Sequence, residues 1–160
     1  AKAVNNAAVP MGGVIASKNI YNTFLDGTKA GVEFFHGYTY SAHPLAVAAG
    51  IAAQEVYQEE GIYERVRSNI QFFEDAMHSL KGNPFIIDIR NFGLAGGLTI
   101  EQRDGAIGAR AYDFFLKAYE HGINVRSNGD TIAIAPILTS SQKELEPIFD
   151  ALKKTALSIK

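Results

Sequence analysis

The chain has 160 residues, 47% hydrophobic and 20% charged, with 15 Lys and Arg against 17 Asp and Glu for a net charge of -2. That much apolar material supports a packed core, and the near-balance of charge leaves no field for holding nucleic acid or an anionic membrane surface. Cysteine is absent, which excludes disulfides, thiolate catalysis and cysteine-ligated zinc or iron–sulfur sites.

The uncharged run from Pro44 to Ala53 is about half the roughly 20 residues that a bilayer span needs. No basic start followed by an apolar stretch stands behind Ala1-Lys2, so no membrane segment and a cytoplasmic setting are expected. The chain also starts abruptly, without an initiator Met. In chain order, Ala1 to Pro10 is small and loop-like, and Gly12 to Ser17 reads as a short buried strand. Ser17 caps a short helix over 18–25 that stops at Asp26-Gly27, and the aromatic, glycine-rich stretch 28–43 reads as a structured loop.

His43-Pro44 places proline at a first helical position, and Gly61 interrupts the helical pattern. Beyond it Ile62, Val66, Ile70, Phe73 and Met77 form an amphipathic stripe that closes at Lys81-Gly82. The period then changes to two. Phe85 to Arg90 and Leu94 to Glu101 predict a strand pair around Asn91-Phe92-Gly93. A helix follows over 104–121, then strands 123–126 and 131–135 around Ser127 to Asp130. Ser141 and Glu144 make a capping box for a last helix that contains Pro147. The order helix–β–β–α–β–β–α predicts an α+β layer with an antiparallel sheet.

Taken singly, few residues point to chemistry. His36 and His43 lie in a loop at a spacing that matches no zinc template, so no metal site is expected. Gly93, Gly96 and Gly97 lack the strand–loop–helix context of a dinucleotide loop. Asp88 and Arg90 share a strand face as a solvated ion pair. Thr39 reads as well as a turn residue bonded to its own backbone, and Arg126 as a surface arginine at a strand end.

Together they form a pattern. Ala1, Lys2, Asn6 and Ala7, followed by Pro10-Met11-Gly12-Gly13, resemble the lysine signature of class III (omega-amino acid) pyridoxal-phosphate aminotransferases. The stretch Phe35-His36-Gly37-Tyr38-Thr39-Tyr40-Ser41-Ala42-His43-Pro44 looks like that family's phosphate loop. Arg90 to Leu94 and Gly122 to Arg126, with Gly129-Asp130 and Pro136, are similar to its small-domain landmarks. The likeness is collinear over the whole chain and is greatest to the beta-alanine:pyruvate type.

The resemblance implies the C-terminal small α+β domain of a fold-type I transferase in residues 44–160, and a remnant of its large α/β domain in residues 1–43. It implies pyridoxal 5'-phosphate as cofactor, with Lys2 as the catalytic Schiff-base lysine, a role that requires a primary amine. Tyr38 and Thr39 would bind the cofactor phosphate, Thr39 from the neighbouring subunit of a homodimer or larger assembly. Arg126 would grip a substrate carboxylate. Ornithine-type members carry a carboxylate-binding arginine where Ala133 stands here, which favours omega-amino acid or amine donors with a keto-acid acceptor such as pyruvate. The family's acidic residue for the pyridine nitrogen lies upstream of the lysine, so Ala1 looks like a cut one residue before the catalytic lysine. Two alternatives stand beside transamination: a truncated small-domain module without catalysis, and an aminomutase or decarboxylase using the same cofactor.

Overall fold

A computed structural model describes residues 2–27 and 36–160. Ala1 and residues 28–35 lie outside the described residues, and with them the first part of the expected loop, including Phe35 of the phosphate-loop stretch. The described elements are α1 (Lys18–Gly27), α2 (Pro44–Glu59), α3 (Ile62–His78), β1 (Ile86–Phe92), β2 (Ala95–Ile100), α4 (Ala109–Glu120), β3 (Arg126–Asn128), β4 (Thr131–Ile134) and α5 (Gln142–Ser158). They fall into two compact units, Ala1–Glu60 and Gly61–Lys160. None of the described helices is long and apolar enough to cross a membrane.

The first unit holds α1 and α2. At the start of α1 the Ser17 hydroxyl accepts the Ile20 N–H at 3.4 Å. Pro44 begins α2 with His43 as its cap, Nδ1 accepting from the Leu45 N–H at 3.3 Å. The strand expected over Gly12 to Ser17 does not form: residues 11–17 are irregular, with Val14 95% and Ile15 102% exposed. A strand needs a neighbour for its N–H and C=O groups, and no other strand exists among the described residues of this unit. Helix α2 belongs with this unit, which runs to Glu60. The reason is local: the Tyr57 hydroxyl donates to the Ala3 carbonyl at 2.8 Å and Gln54 Nε2 to the Val4 carbonyl at 3.3 Å, both from α2.

The second unit is an α+β layer, as its periodicities predict. Its sheet is antiparallel throughout, in the order β1-β2-β4-β3. Phe92 pairs with Ala95, so the hairpin turns on Gly93-Leu94, one step later than expected, and Gly93 adopts φ +56°. Helix α4 starts at Ala109 rather than near Asp104, because Gly108 precedes it at φ +75° with its N–H bonded to Asp130 Oδ1 at 2.6 Å. Helix α3 ends at His78, before Lys81.

The core of this unit joins Phe73 and Met77 of α3, Leu98 and Ile100 of β2, Phe114 of α4, Ile132 of β4, and Leu145 and Leu152 of α5, all essentially inaccessible. Helix α5 is closed by its capping box: the Ser141 N–H and hydroxyl both donate to Glu144 Oε2, at 2.8 and 2.7 Å.

Two outcomes are expected. Leu98→Ala should cost about 2–5 kcal/mol in a denaturant melt, from lost burial and the cavity left behind. The Ser141 N–H first, then its hydroxyl, hold the Glu144 carboxyl below its ordinary value of 4.5; desolvation opposes them, and the charge of Arg65 adds a lesser lowering. A depressed carboxyl stabilises the fold above the ordinary value and stops doing so as pH falls through the lowered one. The gap in melting temperature between the parent and Glu144→Ala should therefore be full at neutral pH and close in acid.

Candidate active site

Lys2 opens a tight backbone loop. Its carbonyl accepts the Ala7 N–H at 2.8 Å, and the Asn5 carbonyl accepts the Ala8 N–H at 3.1 Å. Asn6 and Ala7 turn the chain through the left-handed region, at φ +52° and +56°. Inside the loop Asn5 is 1% exposed, with Nδ2 donating to the Val9 carbonyl at 2.6 Å and Oδ1 buried without a partner. The two bonds from α2 to Ala3 and Val4 flank the lysine on its C-terminal side. The Lys2 side chain is exposed, and its ammonium has no ion pair or hydrogen bond among the described residues.

The Tyr38–His43 segment is a second turn. The Tyr38 N–H donates to Ser41 Oγ at 3.2 Å, the Ser41 N–H returns to the Tyr38 carbonyl at 3.0 Å, and Ala42 sits at φ +58°. These bonds leave the Thr39 N–H and hydroxyl and the Tyr40 N–H without acceptors among the described residues. A set of exposed donors on a turn is the chemistry that a phosphate needs. The turn and the segment Pro10 to Val14 enclose an open cleft of about 730 Å³, with Gly12, Gly13, His36, Tyr38, Ser41 and His43 on its walls. Of the expected cofactor residues, only Tyr38 lines this cleft; Lys2 and Thr39 do not.

Arg126 belongs to the second unit, described by itself. It opens β3, an edge strand, and is exposed, its guanidinium having no hydrogen bond or ion pair among the described residues. Its partner in register is Ala133. The register extends across the sheet: Ala133 pairs with Gly97 and Gly97 with Arg90. The expected Asp88–Arg90 pair is present at 2.6 Å, half exposed. Arg90 also donates to the Thr99 hydroxyl at 2.7 Å and the Thr131 hydroxyl at 3.4 Å.

The sequence reading passed over Asn5, Tyr57 and this transverse row. Asn5 lies inside the lysine motif, where a polar residue among small ones was the available signal. Tyr57 and the row rest on contacts between distant positions, which no local pattern announces.

The family model for aminotransferase class III matches residues 1–156. The omega-aminotransferase of Caulobacter vibrioides is 42% identical over 154 residues, covering 96% of this chain and 35% of that protein. The omega-amino acid–pyruvate aminotransferase of Pseudomonas putida is 46% identical over 154 residues, covering 95% and 34%. Among solved structures, a thermostable (S)-enantioselective omega-transaminase from Thermomicrobium roseum superimposes with a TM-score of 0.76 at 25% identity, over 97% of this chain and 35% of that one. The chain thus spans about a third of the length of the relatives it matches.

If the Tyr57 hydroxyl secures the lysine segment, Tyr57→Phe should speed amide exchange at Ala7 and Ala8 by roughly fivefold, the worth of one hydrogen bond. Exchange in β2 and β4 should not change. Equal protection at Ala7 in both proteins would contradict the tether.

Proposed function

Because the chain belongs to the class-III aminotransferase family, we propose that it carries the lysine, phosphate-loop and carboxylate-binding part of a transaminase. The reaction is transfer of an amino group from an omega-amino acid or amine to a keto acid such as pyruvate, with pyridoxal 5'-phosphate as cofactor. The observation that carries this is the unbroken match from the lysine loop to the last helix, with relatives named for omega-amino acids and pyruvate. A cytoplasmic setting is in keeping with a chain without cysteine.

When bound, the cofactor supplies an electron sink for charge developing on the substrate carbon. This chain's residues divide the remaining work. Lys2 Nζ, a primary amine, would hold the bound cofactor by its aldehyde and, as a free amine, would take up and return a proton as a general base. Arginine could not do this, being protonated throughout. The open donors of Thr39, with Tyr38 beside them, suit the cofactor phosphate. In the proposed homodimer Thr39 serves the neighbouring subunit's site. The Arg126 fork suits a carboxylate in bidentate fashion. Ala133, and not a second arginine, stands opposite it in register.

The test is direct. The 160-residue chain supplied with pyridoxal 5'-phosphate, beta-alanine and pyruvate should form alanine, and Lys2→Ala should abolish the reaction. Arg126→Ala should lower kcat/KM for beta-alanine about 10–100-fold more than for an amine donor without a carboxylate, the loss of a charge-assisted contact. Equal losses for both donors would remove the role of Arg126. Carbon dioxide release in place of alanine would point to decarboxylation, and no turnover to a module without catalysis.

A further inference from the structure

Strand alternation sorts the sheet of the second unit into two faces. A Cβ on Gly96 would meet Met77 and Phe73 of α3, whereas one on Gly97 would meet the Arg90 guanidinium. Residues in register share a face, so the face with Gly97 also carries Arg90, Thr99, Thr131, Ala133, Arg126 and Asn128. Asp88 is the only acid that the strands place there, and Arg90 holds it at 2.6 Å. Arg126 has no such partner among the described residues.

We propose that Thr131 is a second contact for the carboxylate that Arg126 holds, and that the carboxylate lies over Ala133 between them. This rests on the reading of Arg126 given above. Ala133 directly faces Arg126 across β3 and β4 and carries only a methyl group there. Thr131 stands two residues along the same strand on the same face, a diagonal neighbour of Arg126 at about 7–8 Å, a gap that a bound carboxylate spans.

The polarity at Thr131 is set by Arg90. A guanidinium can only donate, so in its 3.4 Å contact Thr131 Oγ1 accepts. The hydroxyl proton is left to donate, and no acceptor meets it among the described residues. Asn128, opposite Thr131 in register, adds an amide to the same corner. A guanidinium without a partner among the described residues, a hydroxyl turned donor and no unpaired acid on the described strands make this corner complementary to one occupant, the carboxylate end of a small amino or keto acid.

Propionate, a carboxylate without an amine, is the probe, titrated into the full 160-residue chain with NMR detection of Arg126 Nε–H and the Thr131 and Ala133 methyl groups. All three signals should shift and saturate together, and propionamide should move none of them. Thr131→Val should weaken binding about fivefold or more, and Thr131→Ser should stay within about twofold of the parent. Ala133→Glu supplies a carboxylate in place and should abolish the response. Unshifted Leu98 and Ile132 methyl signals will certify the fold of each variant. Parent-like affinity in Thr131→Val, or a surviving response in Ala133→Glu, overturns the proposal while leaving Arg126 as an anchor. No response at Arg126 in the parent overturns both readings.

Discussion

The sheet of the second unit is built around two adjacent glycines in β2, one of its two inner strands. A side chain on Gly96 would come within 2.8 Å of the Met77 sulfur, and one on Gly97 within 3.3 Å of the Arg90 guanidinium carbon. The first glycine lets α3 close onto the sheet and bury Phe73 and Met77. The second lets Arg90 lie flat across the opposite face and reach hydroxyls on β2 and β4. β2 pairs with both β1 and β4, so its position sets the register of β4, and β4 sets that of β3. Arg126 stands opposite Ala133 as the last step in that chain of pairings.

The first unit is held differently. It has no sheet among its described residues, and the lysine loop is shaped by short-range backbone bonds, left-handed turns at Asn6 and Ala7, and two ties from α2. Such a loop depends on few bonds, each worth about 1 kcal/mol. Among the described residues, Oδ1 of Asn5 is the one buried side-chain polar atom that lacks a partner, an arrangement that costs about 1–3 kcal/mol. It lies within the segment that carries Lys2, the proposed reactive amine, and functional sites commonly hold such strain.

Much of this was legible in the sequence because its signals are local. The capping box of Ser141 and Glu144, the His43-Pro44 helix start and the alternation in β1 and β2 each announce themselves within a few residues, and all appear in the structure. The lysine motif and the Gly-Tyr-Thr-Tyr-Ser-Ala-His-Pro run identified the family for the same reason. Apolar residues after Gly12-Gly13 looked like a strand because a short apolar run does not reveal whether a partner exists. The start of α4 was placed early because Gly108, which stops the helix from beginning sooner, is bonded to Asp130 from another part of the chain. The opposition of Arg126 and Ala133 depends on the pairing of two strands across a turn, and the burial of Asn5 on its packing.

Lys2 is the amine proposed to take the cofactor's aldehyde, and every other role proposed for the site depends on it. Borohydride reduction of the chain with pyridoxal 5'-phosphate, followed by peptide mapping in a mass spectrometer, reads this without reference to turnover. The account predicts one phosphopyridoxyl group per chain, on Lys2, displaced when beta-alanine is added before reduction. Labelling spread over Lys81, Lys117, Lys153 and the other surface lysines, with none preferred at Lys2, would contradict it.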